Sequence, residues 1–296
     1  MLTTTKIPIG YIFKSTWRDM VYVFIVSVIM YEIYNFIDLT DIPVGITALI
    51  GTSISLVLAF KLSQSYDRWW EARKVWGAIV NDSRTFIIQV KNFTQFKNEE
   101  LLKKITFRQI AWGYSFGQSL RGGSAFDNLE GLLSKEEIES LAKKQNVALS
   151  LLDKHAADLS ILKTAGMLTD FQYIQLDKTL VRICASMGQA ERIKKTVFPT
   201  AYRLFLHFFI YIFVVMLSNT LTETDGIFEI PMVMLITAPF FLLEKTAYYL
   251  QDPFENRPTD IALTSIARSI DVNLRQLIDQ GDEATVAPND SHFYVM

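Results

Sequence analysis

Cysteine is nearly absent from these 296 residues: Cys184 stands alone, which excludes a disulfide scaffold. The three histidines, His155, His207 and His292, are scattered too widely for the usual zinc spacings. Charge is scarce as well. Asp, Glu, Lys and Arg make up 20% of the chain, against about a quarter in an ordinary soluble domain. The net charge of −2 offers no basic surface for nucleic acid. The chain lacks a glycine-rich phosphate loop, a Ser or Cys nucleophile motif and a metal-binding pair of histidines. An enzyme is therefore not expected, and no cofactor or metal is called for. A cleaved leader is not expected either, because the apolar run after residue 18 ends in no small-residue cleavage site.

What the chain does have is apolar length. Half of it is hydrophobic and the mean hydropathy is +0.21. The shortage of charge is concentrated in four blocks, residues 20–37, 43–60, 204–221 and 230–243. A helix needs about 20 mostly apolar residues to cross a bilayer, so these blocks read as four transmembrane helices. Lysine and arginine are missing from the two short connections, 38–42 and 222–226, and crowd into the remaining polar segments. By the positive-inside rule both termini and the long middle section are cytoplasmic. The expectation is an all-α, multi-pass integral membrane protein. Its parts are residues 1–60 (amino-terminal segment and first two spans), 61–203 (helical cytoplasmic domain), 204–243 (last two spans) and 244–296 (cytoplasmic helix and tail).

The middle section carries helical spacing almost throughout. Residues 65–91 place Trp69, Ala72, Trp76, Ile79, Val80, Phe86 and Val90 at roughly helical intervals. Segments 99–118 and 169–195 repeat the pattern, and Ser134 opens a further helix with Glu136 and Glu137 in its first turn. Gly122, Gly123, Ser124 and Asp127 mark a loop, and 281–296 reads as an extended or disordered tail. No proline interrupts residues 45–81, so the second span is expected to continue as one helix into the cytoplasm.

Several side chains invite chemistry but have plainer uses. Asp67 and Glu71 stand one turn apart beside Arg68, Arg73 and Lys74, where ion pairing with neighbours is favoured over acid–base work. Glu32, between Tyr31 and Tyr34, suits a hydrogen-bonded acid near the interface better than an ion site. Cys184 is expected to be a small buried residue, and His207 to hydrogen-bond between helices.

The second span is the informative one. Gly51, Ser55 and Ala59 recur every four residues, a small-residue stripe suited to close helix packing. Beside it run Thr52, Leu56 and Phe60, also four apart. Those three serve either ordinary packing or a hydrophobic constriction built from copies of this helix around an axis. Four spans can hardly enclose a path alone, so a pore requires a ring of subunits.

Immediately afterwards comes Ser65-Tyr66-Asp67-Arg68-Trp69-Trp70-Glu71-Ala72-Arg73-Lys74-Val75-Trp76-Gly77. This block strongly resembles the signature after the second span of the bestrophins, especially the bacterial branch. Ser15-Thr16-Trp17-Arg18, Gly188-Gln189-Ala190-Glu191-Arg192-Ile193 followed by Phe198-Pro199-Thr200-Ala201-Tyr202, and Asp252-Pro253-Phe254 with Asp260 and Leu263 resemble further family segments, in the same order. The resemblance implies a homopentameric channel passing monovalent inorganic ions through one central pore in the lipid bilayer. It places a hydrophobic neck at Thr52, Leu56 and Phe60, and a cytoplasmic aperture at Phe171 and Ile174.

Two departures from the family matter. Thr52 stands where relatives usually carry a large aliphatic residue, so a wider or wetter upper neck is expected. The stretch from Glu255 to Asp260, where animal members build part of a calcium clasp, contains Arg257 and Pro258, and calcium activation is not expected. The family label is chloride or anion channel, while sodium conduction is as plausible for the bacterial branch. Asp170 and Asp177 facing the axis would favour cations, and Arg182 facing it would favour anions. A non-conducting scaffold or a secondary transporter is the alternative from another class, although a transporter would normally show more spans and internal repeats.

Overall fold

A computed structural model describes residues 9–37, 42–95, 98–196, 200–221 and 226–280. Among these there are nine α-helices and no strand: α1 (Ile9–Phe36), α2 (Val44–Phe93), α3 (Glu99–Arg121), α4 (Lys135–Ala142), α5 (Val147–Thr164), α6 (Asp170–Lys195), α7 (Thr200–Thr220), α8 (Gly226–Gln251) and α9 (Leu263–Leu277). The tail at 281–296 and the connections at 38–41 and 222–225 lie outside the described residues.

Helix α2 runs for 50 residues, about 75 Å at 1.5 Å per residue. The sequence suggested a continuous rod over 45–81, and the helix persists for three further turns. Its polar residues do not break it because their hydroxyls bond within the helix. Ser83 Oγ donates to the Ile79 carbonyl at 2.7 Å, and Thr85 Oγ1 to that of Asn81 at 2.8 Å.

The chain divides into two compact units, one formed within 4–69 and 197–252, the other mainly within 70–196 and from 253 onward. In the first, α1 packs on α7 and α8, and α7 on α8. Val23, Ile54, Leu58, Ile210, Phe213, Val214, Val233 and Phe241 form its apolar core. Among the described residues, four helices are long and apolar enough to cross a membrane: Lys14–Phe36, Val44–Phe93, Ala201–Thr220 and Phe228–Gln251. Helix α8 stays helical across Pro231 and Pro239, where packed neighbours offset the lost backbone bonds. Polar side chains also tie the helices together. Ser218 Oγ donates to Glu229 Oε1 at 2.5 Å, and the Thr47 and Thr220 hydroxyls meet at 2.8 Å.

The second unit combines the carboxy-terminal part of α2 with α3–α6 and α9. Trp112 and Trp76 both stack on Phe116, at 5.4 and 5.6 Å, within a core that includes Phe86, Ile105, Leu151, Leu176, Ile183 and Ile270. Helix starts follow the expected chemistry. Ser134 accepts from the Glu137 amide, and Thr169 forms a reciprocal capping box with Gln172. Gly122 ends α3 at φ 73°, a left-handed cap that glycine adopts without a Cβ clash. Helix α5 has no counterpart of its own in the sequence reading. It is capped by Asn146, but Asp153, Lys154 and His155 interrupt its apolar pattern, and packing against α3 and α6 holds it. Buried Arg108 secures α3 to α4 and α5, donating from Nε to Glu137 at 2.6 Å and from a terminal nitrogen to Asp158.

Candidate functional site

The upper part of α2 presents two contrasting faces. Thr47, Gly51, Ile54, Leu58, Lys61 and Ser65 are buried, a row at helical spacing turned into the unit. Thr52, Leu56 and Phe60 lie on another face and are open, Leu56 at 59% and Phe60 at 60% exposure. These three therefore make no contribution to the core of their own chain. Thr52 is less polar here than its side chain implies, because its hydroxyl donates to the Ala48 carbonyl at 2.8 Å.

The expected small-residue stripe is divided. Gly51 is buried against Phe213, where an added Cβ would stand 2.9 Å from the ring. Ser55 and Ala59 are exposed in the single chain, because 51, 54 and 58 form the inward row and 55 and 59 fall outside it.

In the other unit, Phe171 and Ile174 occupy the first turns of α6 and are exposed, Phe171 at 84%. Val181 continues this open face. Asp170 pairs with Lys163 at 2.5 Å, and Arg182 is held by Asp82 of α2, Nε to Oδ1 at 2.9 Å. Asp177 is exposed.

Two charged residues of the signature block are paired. Arg68 reaches Asp252 at 3.9 Å, while Glu71 accepts from Arg192 of α6 at 2.9 Å. Trp69 lies 6.0 Å from Tyr66, and both Asp67 and Trp70 are exposed.

Cys184 corrects an expectation. It is exposed, because α6 buries Ile183, Ser186 and Met187 and leaves 184 on the open side. His207 does contact a neighbouring helix, with Nε2 3.6 Å from Asp19 and ring contacts to Tyr211 and Phe241. Glu32 is exposed on α1. Among the described residues, no group of three or more His, Cys, Asp or Glu side chains is arranged to hold a metal ion.

Sequence reasoning missed the buried charges Lys61 and Glu229, and it named Asp260 without foreseeing its burial. Lys61, directly after Phe60, is fully buried with its Nζ 3.3 Å from Glu244 Oε1, and Arg203 Nε stands 3.9 Å from the same oxygen. In sequence, Lys61 resembles any cation that ends a span. Glu229 is buried beside Ser218 at the start of the fourth span. Asp260, in the loop before α9, is buried with Oδ2 accepting the Arg257 amide at 3.0 Å, and burial pushes its carboxyl up to about 6.

The family model described as Bacterial/Fungal Bestrophin protein matches residues 1–276. A voltage-dependent anion channel-forming protein of Escherichia coli K12, YneE, is 29% identical over 247 residues, 83% of this chain and 80% of that protein. A voltage-dependent anion channel-forming protein of Mesorhizobium japonicum is 26% identical over 232 residues, 78% of this chain and 74% of its own. Among solved structures, a bacterial bestrophin homologue from Klebsiella pneumoniae is similar with a TM-score of 0.82 and 25% identity, covering 88% of this chain and 97% of that one.

Proposed function

The chain belongs to the bacterial and fungal bestrophin family, and from that premise we propose that it forms a passive ion channel rather than an enzyme. Five copies surround one pore, with Thr52, Leu56 and Phe60 of each chain forming a hydrophobic neck. Phe171 and Ile174 form a second, cytoplasmic aperture. Both termini lie in the cytoplasm of a bacterial inner membrane, with residues 61–203 as the cytoplasmic domain and 244–296 as a cytoplasmic helix and tail.

The observation that carries this reading is the open row on α2: two large apolar side chains and one internally bonded threonine, unused by their own fold. Rings of such side chains gate by excluding water, since an ion entering them loses hydration with no polar group in return. The names of the relatives support anions as the permeant species. Sodium conduction is the second reading, favoured by exposed Asp177 on the aperture helix while Arg182 is engaged by Asp82. Calcium is not required, given Arg257 and Pro258 in the loop before Asp260.

Single-channel recording of purified protein in a planar bilayer under a salt gradient tests the reading. Current is expected, and the sign of the reversal potential assigns anion or cation. A silent bilayer would leave the scaffold reading. Mass measurement in detergent checks the ring: five copies are expected, and a monomer or dimer overturns it.

A further inference from the structure

Lys61 is, among the described residues, the bulkiest fully buried charged side chain, with 0% of its side chain exposed. Its Nζ donates to Glu244 Oε1 on α8, a carboxylate itself only 5% exposed. The same oxygen lies 3.9 Å from Arg203 Nε of α7, and the Arg203 guanidinium stands 4.2 Å over the Tyr248 ring. Three helices thus converge on one buried carboxylate. A buried pair of this kind adds little net stability, because desolvating both charges offsets their attraction. What it does impose is geometry: separating the partners leaves a charge buried and alone, so competing arrangements are disfavoured.

Phe60 immediately precedes Lys61 on α2, where successive side chains are about 100° apart around the axis. Phe60 cannot swing around the helix axis unless Lys61 swings with it, away from Glu244. We propose that Lys61 and Glu244 are positioning residues that lock the rotation of α2 and so hold Phe60 in the pore. This rests on the neck reading above. Arg203 keeps Glu244 compensated when Lys61 is removed, which makes Lys61 the safer partner to change.

The test reads the exposure of position 60 directly. In a Cys184→Ser background, Phe60→Cys is recorded in planar bilayers while a charged, water-soluble methanethiosulfonate is applied, and the rate of current change is measured. Lys61→Met and Lys61→Arg are then added in turn, with complex mass checked in each. With Lys61 present the thiol at position 60 should react. Losing a hydrogen bond to a charged group corresponds to a change of about tenfold or more in that rate and in open probability for Lys61→Met. Lys61→Arg, which keeps the cation, should stay near the parent. Rates within about twofold in Lys61→Met overturn the anchor and leave the neck standing, since a tenfold effect is the size a charged hydrogen bond implies. No reaction at position 60 with Lys61 in place overturns the neck itself, and the anchor with it. Should Lys61→Met fail to assemble, Glu244→Asp, which keeps both charges but shortens the reach, provides the same comparison with the same two outcomes.

Discussion

His155 of α5 stands edge-on to Phe86 of α2, with 5.1 Å between ring centroids and 75° between ring planes. The imidazole is completely buried, neither ring nitrogen has a hydrogen-bond partner, and its pKa is held well below the ordinary 6.5, by burial first and Arg108 second. The unfolded chain therefore takes up a proton near pH 6.5 that the folded chain refuses. Stability contributed by neutral His155 is present above pH 6.5 and falls as pH drops through and below that value. His155→Leu should flatten this acid limb. Thermal midpoints of solubilised protein between pH 8 and about pH 5 check it, and an unchanged slope would remove His155 as the cause.

Asp260 works in the opposite direction. Its folded carboxyl sits at about 6 against an ordinary 3.8, because burial disfavours the charged form. The folded state keeps its proton where the unfolded state has lost it, so stability declines as pH rises between these two values. Asp260→Asn keeps an acceptor for the Arg257 amide and carries no charge. It should therefore be more stable than the wild type at pH 7 to 8, with the difference shrinking as pH falls through about 6. Paired melting curves at the two extremes give the answer.

The neck can be tested by shrinking it. Leu56→Ala combined with Phe60→Ala should raise conductance or open probability with the assembly intact, because smaller apolar rings wet more readily. Thr52→Ala should change little, its hydroxyl being already committed to Ala48. If Leu56 and Phe60 instead pack against neighbouring helices, truncation should cost about 2–5 kcal/mol and lower the yield of assembled protein without added current.

Gly51 provides a packing test independent of conduction. A side chain there meets the Phe213 ring, since even a Cβ would lie 2.9 Å from it. Gly51→Val should destabilise by about 1–3 kcal/mol through overpacking. Adding Phe213→Leu should recover much of the loss. Thermal midpoints of the single and double variants would show the coupling, and simple additivity would argue against direct contact.

Much of the architecture is written locally and so could be read locally. Four apolar runs marked the membrane helices, the absence of proline over 45–81 made α2 continuous, and Ser134 and Thr169 announced the helices they cap. The block from Asp67 to Gly77 pointed to the family that the comparison bears out over residues 1–276. These features depend on residues within a few turns of one another. The tertiary structure decided which way each helix faces. Spacing grouped Gly51 with Ser55 and Ala59, yet only packing against Phe213 selected Gly51 for the interior. Cys184 was expected inside and lies outside for the same reason: periodicity defines a face without stating what covers it. The Lys61–Glu244 pair joins residues 183 positions apart, and no local pattern foretells that α8 will bring a carboxylate to meet a lysine in the core.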